Sequence, residues 1–589
     1  MAVLAGQPWP LRAAAVSLAA ATVLGAATGL ALCIALAGLG RLNADMQLAR
    51  LPAWLWHYRG DPELRRWLLI GGGVAAGVLG GILIAILRPK PKPLHGDARF
   101  ATAGEVARAG LRDTDGVILG QKDGALLRSN GREHIFICAP TGSGKSSGII
   151  IPTLQSFVGG SAVVLDIKRE CWEATAGWRQ AMGQDVWLFE PFAAEGRTAR
   201  FNPLGHIDRK NEEQTYDVLQ RVATILFPDS GGSEGFWNSA ARDAFMGVAL
   251  LVAQTPDKAL TLGEIAARFA QADVAETLSE QIASRSREGQ PLSKACVLAL
   301  TGFCETSPNT FSSIRVTVTT RLQAWFNARV DAATSQSDFD LKSLRAVPST
   351  LYLCVAPGDL ARAAPIFSLL VELLLDQLGR TTARPEDRRL LMLLDEFAAL
   401  GRLSSIARSF AWIGGYGVRL VCVVQNRSQL HQIYGEGAEE IIGNCGLQVY
   451  FAPNALSDAR QVSDLMGTHD QVAVSQSRPA GLAGGRRSES RSRQRRNLMM
   501  PQELLRMERG RLVILARGLP PIAGRWLKAE ALRAFKERVW PSPEVAPRSL
   551  LRTAARSVSS SAASGSTSAR ADERTLAKLR ARYETERGA

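Results

Sequence analysis

At 589 residues the chain is long enough for three or four folded units. Its net charge of +15 is unevenly spread, with +6 on residues 1–100, −5 on 101–485 and +14 on 486–589. The central body is therefore no basic nucleic-acid wrapper, and eight cysteines without a C-x-x-C pair exclude a zinc finger or a disulfide scaffold in favour of reduced core thiols.

Ala13 to Gly40 is 28 residues without a charge, and Trp67 to Leu87 is another 21. Each is long enough to cross a bilayer of about 30 Å, and a first run of that length followed closely by a second is not a signal peptide. The expectation is a membrane anchor over 1–94 with helices near 13–40 and 67–87. Gly25 and Gly29, then Gly73, Gly77 and Gly81, recur at helical spacing and would let helices approach closely in lipid. Pro89, Pro91 and Pro93 make a stiff exit linker.

Apolar runs at Ile135–Cys138, Ala162–Leu165, Val186–Phe189, Thr350–Val355, Leu390–Leu394, Val418–Val424, Leu447–Phe451 and Leu512–Leu515 read as strands alternating with helices. That alternation predicts an α/β fold with a largely parallel, helix-covered sheet. The first of these strands runs into Ala139-Pro140-Thr141-Gly142-Ser143-Gly144-Lys145-Ser146, followed by Ile149-Ile150-Ile151 as the expected start of a helix. Strand, glycine-rich loop, Lys-Ser and helix form the P-loop arrangement. Its backbone N–H groups and helix N-terminus cradle phosphates, Lys145 reaches the β- and γ-phosphates, and Ser146 can ligate Mg²⁺. The first glycine of the pattern is here Ala139.

Leu390-Leu391-Met392-Leu393-Leu394 ends in Asp395-Glu396. A buried strand that delivers an aspartate beside a P-loop is what Mg²⁺ coordination needs, and the adjacent Glu396 can polarise a water. The two motifs together predict an ATP-hydrolysing, Mg²⁺-dependent enzyme. Lys145 and Asp395 are 250 residues apart, more than a compact core requires, so a domain is expected between them. The helical texture of 208–335 marks that insertion as all-α. It leaves 95–207 and 336–540 as the two parts of the nucleotide-binding domain.

Arg486 to Arg496 holds six arginines and one acid in eleven residues. It reads as a solvated surface loop or as a contact for a phosphate backbone, with anionic lipid as a competing partner. Residues 541–589 read as a disordered tail, Ser/Ala-rich over Ser557 to Ser568, with a helix over Asp572 to Arg587 that is either a docking element or a frayed end.

Taken as a set, several stretches resemble the type IV secretion coupling proteins, the TraG/TraD-like ATPases of conjugation. They are His95-Gly96-Asp97-Ala98-Arg99-Phe100, the P-loop, Val164 to Glu170, Phe236-Trp237, Leu393 to Phe397, Gly401-Arg402-Leu403, Gln425, Tyr434-Gly435 and Asn444-Cys445. The resemblance covers about 95–530 and implies a RecA-like P-loop nucleotide domain interrupted by an all-α domain. It also implies a hexameric ring at the bacterial inner membrane, with the motor in the cytoplasm. The ring would hand relaxase-bound single-stranded DNA, protein effectors, or both to a type IV secretion channel and its inner-membrane components. By the same resemblance Lys145 and Ser146 bind phosphate and Mg²⁺, Asp395 supports the metal, Glu396 is the base and Gln425 senses the γ-phosphate. Many relatives carry an arginine just before the Gly-Tyr-Gly turn, a candidate finger for a neighbouring subunit. Here that stretch is Ile413-Gly414-Gly415-Tyr416-Gly417, and Arg402, Arg408 and Arg419 are the nearby substitutes. An effector-only coupling ATPase and, further off, a chromosome-type DNA translocase are the competing readings. An ABC pump fits less well, because no Leu-Ser-Gly-Gly-Gln signature is present.

Overall fold

The computed structural model describes residues 9–40, 51–87, 93–229, 231–384, 387–477 and 488–548. The serine-rich stretch and the terminal helix expected in 557–587 lie outside these. The chain divides into two compact units, Met1–Pro93 and Leu94–Ala589.

The first unit holds helices Trp9–Gly38, Leu51–His57 and Pro62–Leu87. Among the described residues no helix is long and apolar enough to cross a membrane, and the side chains of 1–21 and 82–92 are not among them. The two long helices touch at glycines other than those the spacing suggested. A Cβ on Gly71 would come within 2.3 Å of the Ala31 carbonyl oxygen, and one on Gly38 within 2.2 Å of the Trp67 ring. Gly25, Gly29, Gly73, Gly77 and Gly81 have nothing within 4 Å. The reason is helical phase: at about 100° per residue, Gly73, Gly77 and Gly81 point some 200–280° away from Gly71.

The second unit is built on thirteen strands among the described residues. They are β1 (Val117–Lys122), β2 (Ala125–Ser129), β3 (Ile135–Cys138), β4 (Ser161–Asp166), β5 (Asp185–Phe189), β6 (Ser349–Cys354) and β7 (Leu390–Leu394), then β8 (Val418–Val424), β9 (Leu447–Phe451), β10 (Thr468–Ser477), β11 (Ser488–Asn497), β12 (Arg511–Ala516) and β13 (Ile522–Arg525). Eleven form one sheet in the order β2-β1-β13-β12-β9-β3-β8-β7-β4-β6-β5. From β9 to β5 every pairing is parallel. From β9 through β12, β13 and β1 to β2 every pairing is antiparallel. The parallel strands are buried almost throughout, because helices pack on both faces.

All eight expected strands are present. None of the five others carries four consecutive apolar residues. The Arg486–Arg496 stretch is a case in point: Ser488–Asn497 is not a loop but β11, paired antiparallel with β10 over ten residues in a separate two-stranded sheet. Cross-strand pairing imposes strand geometry there despite a composition that, taken locally, favours a loop.

Between β5 and β6 the chain is helical from Glu212 to Ala333, without a strand among the described residues. The points where it leaves and returns are stitched together. Arg200 Nη2 donates to Asp338 Oδ1 at 2.7 Å, and each residue's backbone N–H bonds its counterpart at 2.9 Å. Six of the eight cysteines are buried and all are free. Burial pushes the thiols of Cys138, Cys296 and Cys445 up to about 12, which keeps them protonated and inert.

Candidate nucleotide site

β3 carries the P-loop and β7 carries Asp395-Glu396, and β8 lies between them. Because all three run parallel, their carboxyl ends meet at one edge of the sheet, where open α/β sheets bind ligands. Leaving β3, Ala139 extends the strand, and its N–H donates to the Val424 carbonyl at 2.9 Å. That position makes no left-handed demand, which is why alanine serves there. Gly142 and Gly144 do turn left-handed, at φ +74° and +88°, and glycine is the residue that does so without strain. The helix begins at Ser146 rather than at Ile149. Its first turn, Ser146–Ile150, is π-helical and passes into α-helix at Ile151–Ser156. Such turns recur at functional sites.

The predicted site residues converge. Lys145 Nζ donates to the Asp395 carbonyl at 2.8 Å. It also lies 3.0 Å from Asp395 Oδ1 and 3.6 Å from Glu396 Oε2. Ser146 Oγ donates to Asp395 Oδ2 at 3.5 Å. Gln425, just past β8, bridges the two halves: Thr141 Oγ1 donates to its Oε1 at 3.0 Å, and its Nε2 donates to Glu396 Oε2 at 3.1 Å. Burial raises the Asp395 carboxyl and Lys145 beside it pulls the other way, for a net rise. At the end of β4, Asp166 accepts the Trp172 N–H at 2.8 Å. Burial pushes its carboxyl up to about 6.

The residues fit a nucleotide with Mg²⁺. Ser143 Oγ is buried in the loop with no hydrogen-bond partner among the described residues. One hydroxyl and one carboxylate, Ser146 and Asp395, stand together at the loop's mouth. No cluster of three or more His, Cys, Asp or Glu side chains able to hold a metal exists among the described residues. The Ser146–Asp395 pair suits Mg²⁺, which takes one or two protein oxygens and completes its shell with phosphate and water.

Of the three candidate arginines, Arg419 is excluded. It sits at the opposite end of β8 from Gln425, 8% exposed, with Nε donating to the Glu133 carbonyl at 2.7 Å and Nη1 to the Ser129 carbonyl at 2.6 Å. Burial draws its guanidinium down to about 10. Arg402 and Arg408 are exposed.

Two residues from the antiparallel side were not anticipated. The Trp526 ring lies under the P-loop, so that a Cβ on Gly144 would come within 2.2 Å of it and one on Gly148 within 2.6 Å. Arg509 Nη2 donates to the Gly142 carbonyl at 3.0 Å. These glycines therefore serve close packing as well as phosphate approach. No local pattern marks Trp526, whose partner lies almost 400 residues earlier.

A model of the type IV secretory system conjugative DNA transfer family matches residues 99–536. The conjugal transfer protein TraG of Escherichia coli is 32% identical over 519 residues, covering 78% of this chain and 80% of that protein. Protein VirD4 of Rhizobium radiobacter is 31% identical over 80% of this chain and 69% of its own length. Among solved structures, the bacterial conjugative coupling protein TrwBdeltaN70 superposes with a TM-score of 0.56 at 20% identity, over 76% of this chain and 97% of that one. The plasmid coupling protein TrwB in complex with ADP and Mg²⁺ gives a TM-score of 0.54 at 19% identity, over 78% and 98%. With its P-loop and acidic pair on parallel strands that flank β8 and a match over most of its length, the chain belongs to the type IV secretory system conjugative DNA transfer family.

Proposed function

We propose that the chain is an inner-membrane coupling ATPase that uses ATP hydrolysis to deliver relaxase-bound single-stranded DNA, protein effectors, or both to a type IV secretion channel. The observation that carries this reading is the chain of contacts Thr141–Gln425–Glu396–Lys145–Asp395 across three adjacent strand ends. Lys145 neutralises β- and γ-phosphate charge. Ser146 and Asp395 would hold Mg²⁺, which would draw charge from the phosphate oxygens. Glu396 orients and deprotonates the attacking water. Gln425, bonded both to the P-loop residue Thr141 and to Glu396, reports the γ-phosphate to the base. Residues 95–207 and 336–540 make up the motor and 208–335 the inserted domain.

The anchor is 1–94. The charge-free run from Ala13 to Gly40 and the one from Trp67 to Leu87 coincide with helices of 30 and 26 residues, long enough to cross a bilayer of about 30 Å. Assembly as a hexamer would bring Arg402 or Arg408 of one copy toward the next copy's phosphates, as an arginine finger in trans. The test pairs two assays on the full chain. Glu396→Gln should bind ATP, fail to release phosphate and fail to support substrate transfer between cells. Transfer at the wild-type level with phosphate release abolished would overturn the coupling role.

A further inference from the structure

The β10–β11 hairpin stands outside the main sheet and outside the nucleotide site. Its ladder runs from Thr468↔Asn497 to Ser477↔Ser488, about 30 Å at 3.3 Å per residue. Directly paired residues share a face, as do alternate residues along a strand. One face therefore carries Val472 and Val474 opposite Arg493 and Arg491, with Asp470 opposite Arg495 toward the base and Gln476 opposite Glu489 toward the tip; Arg491 Nε donates to Glu489 at 2.6 Å and Arg493 lies 3.6 Å from Asp470. Val472 and Val474 are 56% and 51% exposed, and Arg491 is 72% exposed. The other face presents Gln471, Ala473 and Ser475 opposite Gln494, Ser492 and Ser490, with His469 opposite Arg496 at the base, where Arg496 pairs with Glu503. The hairpin is thus two-faced: both exposed valines and three of the four arginines of β11 lie on one side.

The base of the hairpin is tied to the segment that joins the two units. The N–H groups of Leu94 and His95 both donate to the Asp470 carboxylate, at 2.8 and 2.9 Å. Thr468 Oγ1 donates to the His95 carbonyl at 2.5 Å, the Ala98 N–H donates to the Thr468 carbonyl at 3.0 Å, and Asp97 bridges His469. Gly96 takes φ +124°, and a Cβ there would come within 2.3 Å of the Thr468 oxygen, so the clasp needs glycine. Asp470 lies in the alternate series of Val472 and Val474, and residues 94–98 run beside the base of β10. Only residues 88–93 separate the helix ending at Leu87 from this clasp. Fully extended, that stretch reaches no more than about 25 Å.

We propose that this face of the β10–β11 hairpin rests on the anionic surface of the bilayer, with Arg491 and Arg495 at lipid phosphates and Val472 and Val474 at the headgroup–acyl boundary. The proposal rests on the reading that the first unit spans the membrane. A nucleic-acid backbone would engage the arginines but leave two exposed valines without a partner. An anionic bilayer uses both kinds of group, as interfacial amphipathic segments do.

The full chain tests this. With C33S and C304S removing the cysteines that are not buried, an environment-sensitive fluorophore is placed at V474C, or at S475C on the opposite face. Each protein is reconstituted into phosphatidylcholine vesicles with or without phosphatidylglycerol. The expected result is a blue shift and quenching by spin-labelled lipid at position 474 in the anionic vesicles only. The shift should be lost in R491Q/R495Q and absent at position 475. An unshifted probe at 474 in anionic vesicles, in protein that resists carbonate extraction, overturns the hairpin proposal and leaves the anchor standing. Extraction by carbonate overturns the anchor itself. A shift at 474 in detergent without lipid, on adding single-stranded DNA or through a V474C disulfide between copies, also overturns the proposal, in favour of a DNA or subunit interface.

Discussion

The two halves of the eleven-stranded sheet do different work. From β9 to β5 the strands run the same way, so every carboxyl end arrives at one edge, and the P-loop, the acidic pair and Gln425 gather there. From β12 to β2 the strands alternate in direction, so no edge collects their ends and no catalytic group comes from them. What the antiparallel half supplies is support, with Trp526 beneath Gly144 and Gly148 and Arg509 on the Gly142 carbonyl. Parallel topology concentrates chemistry, and antiparallel topology braces it.

The sharpest break of that division is Lys145→Ala, on the parallel side. Phosphate release should fall by about 10³-fold or more, since the only ammonium at the loop is lost, while the melting temperature stays near wild type. Hydrolysis near the wild-type rate would remove the P-loop from the mechanism. Glu396→Gln should cost about 10²- to 10³-fold in turnover while retaining a fluorescent ATP analogue, because Gln keeps the shape that Gln425 bonds. Loss of binding in that variant would make Glu396 structural.

On the antiparallel side Trp526→Ala should destabilise the second unit by about 3 kcal/mol, read by denaturant titration, and weaken nucleotide affinity more than turnover at saturation. An unchanged affinity would mean that the brace supports the fold alone. Asp166→Asn tests the parallel half by pH. Burial raises this carboxyl from 3.8 to about 6, so the folded state holds the proton more tightly than the unfolded chain does. Its stabilising contribution is complete below pH 3.8 and is lost as pH rises through about 6. That increment, on the order of 2 to 3 kcal/mol, should disappear from the pH dependence of stability in the Asn variant. An identical pH slope in both proteins would show that Asp166 stays ionised. The smallest effect is expected of Arg509→Ala, about 1 kcal/mol for one exposed hydrogen bond to a carbonyl, visible as a modest rise in nucleotide Kd.

The residues of the candidate site were legible in the chain because each lies where a local pattern announces it. The P-loop and the Leu390–Glu396 run are strand-to-turn transitions, and a strand buried on both faces must be apolar throughout. The eight strands recognised belong to or abut the parallel half for that reason. β1, β2, β10, β11 and β13 escaped because none carries four consecutive apolar residues, and what makes each a strand is antiparallel pairing with its neighbours. Arg419 shows the same limit at a single residue. Beside the Gly-Tyr-Gly turn it reads as a free arginine, and only the packing of β8 against Ser129 and Glu133 buries it. The glycines that join the two N-terminal helices likewise depend on helical phase, which spacing within one helix does not set. Sequence by itself located the P-loop, the acidic pair and the helical stretch between them, since these rest on contiguous residues. Tertiary structure alone decided that Gln425 stands between the P-loop and Glu396, that Trp526 braces the loop, and that the arginine-rich stretch is one side of a two-faced hairpin. Those facts depend on which strands become neighbours, and strand neighbours are chosen by the packing of the whole sheet.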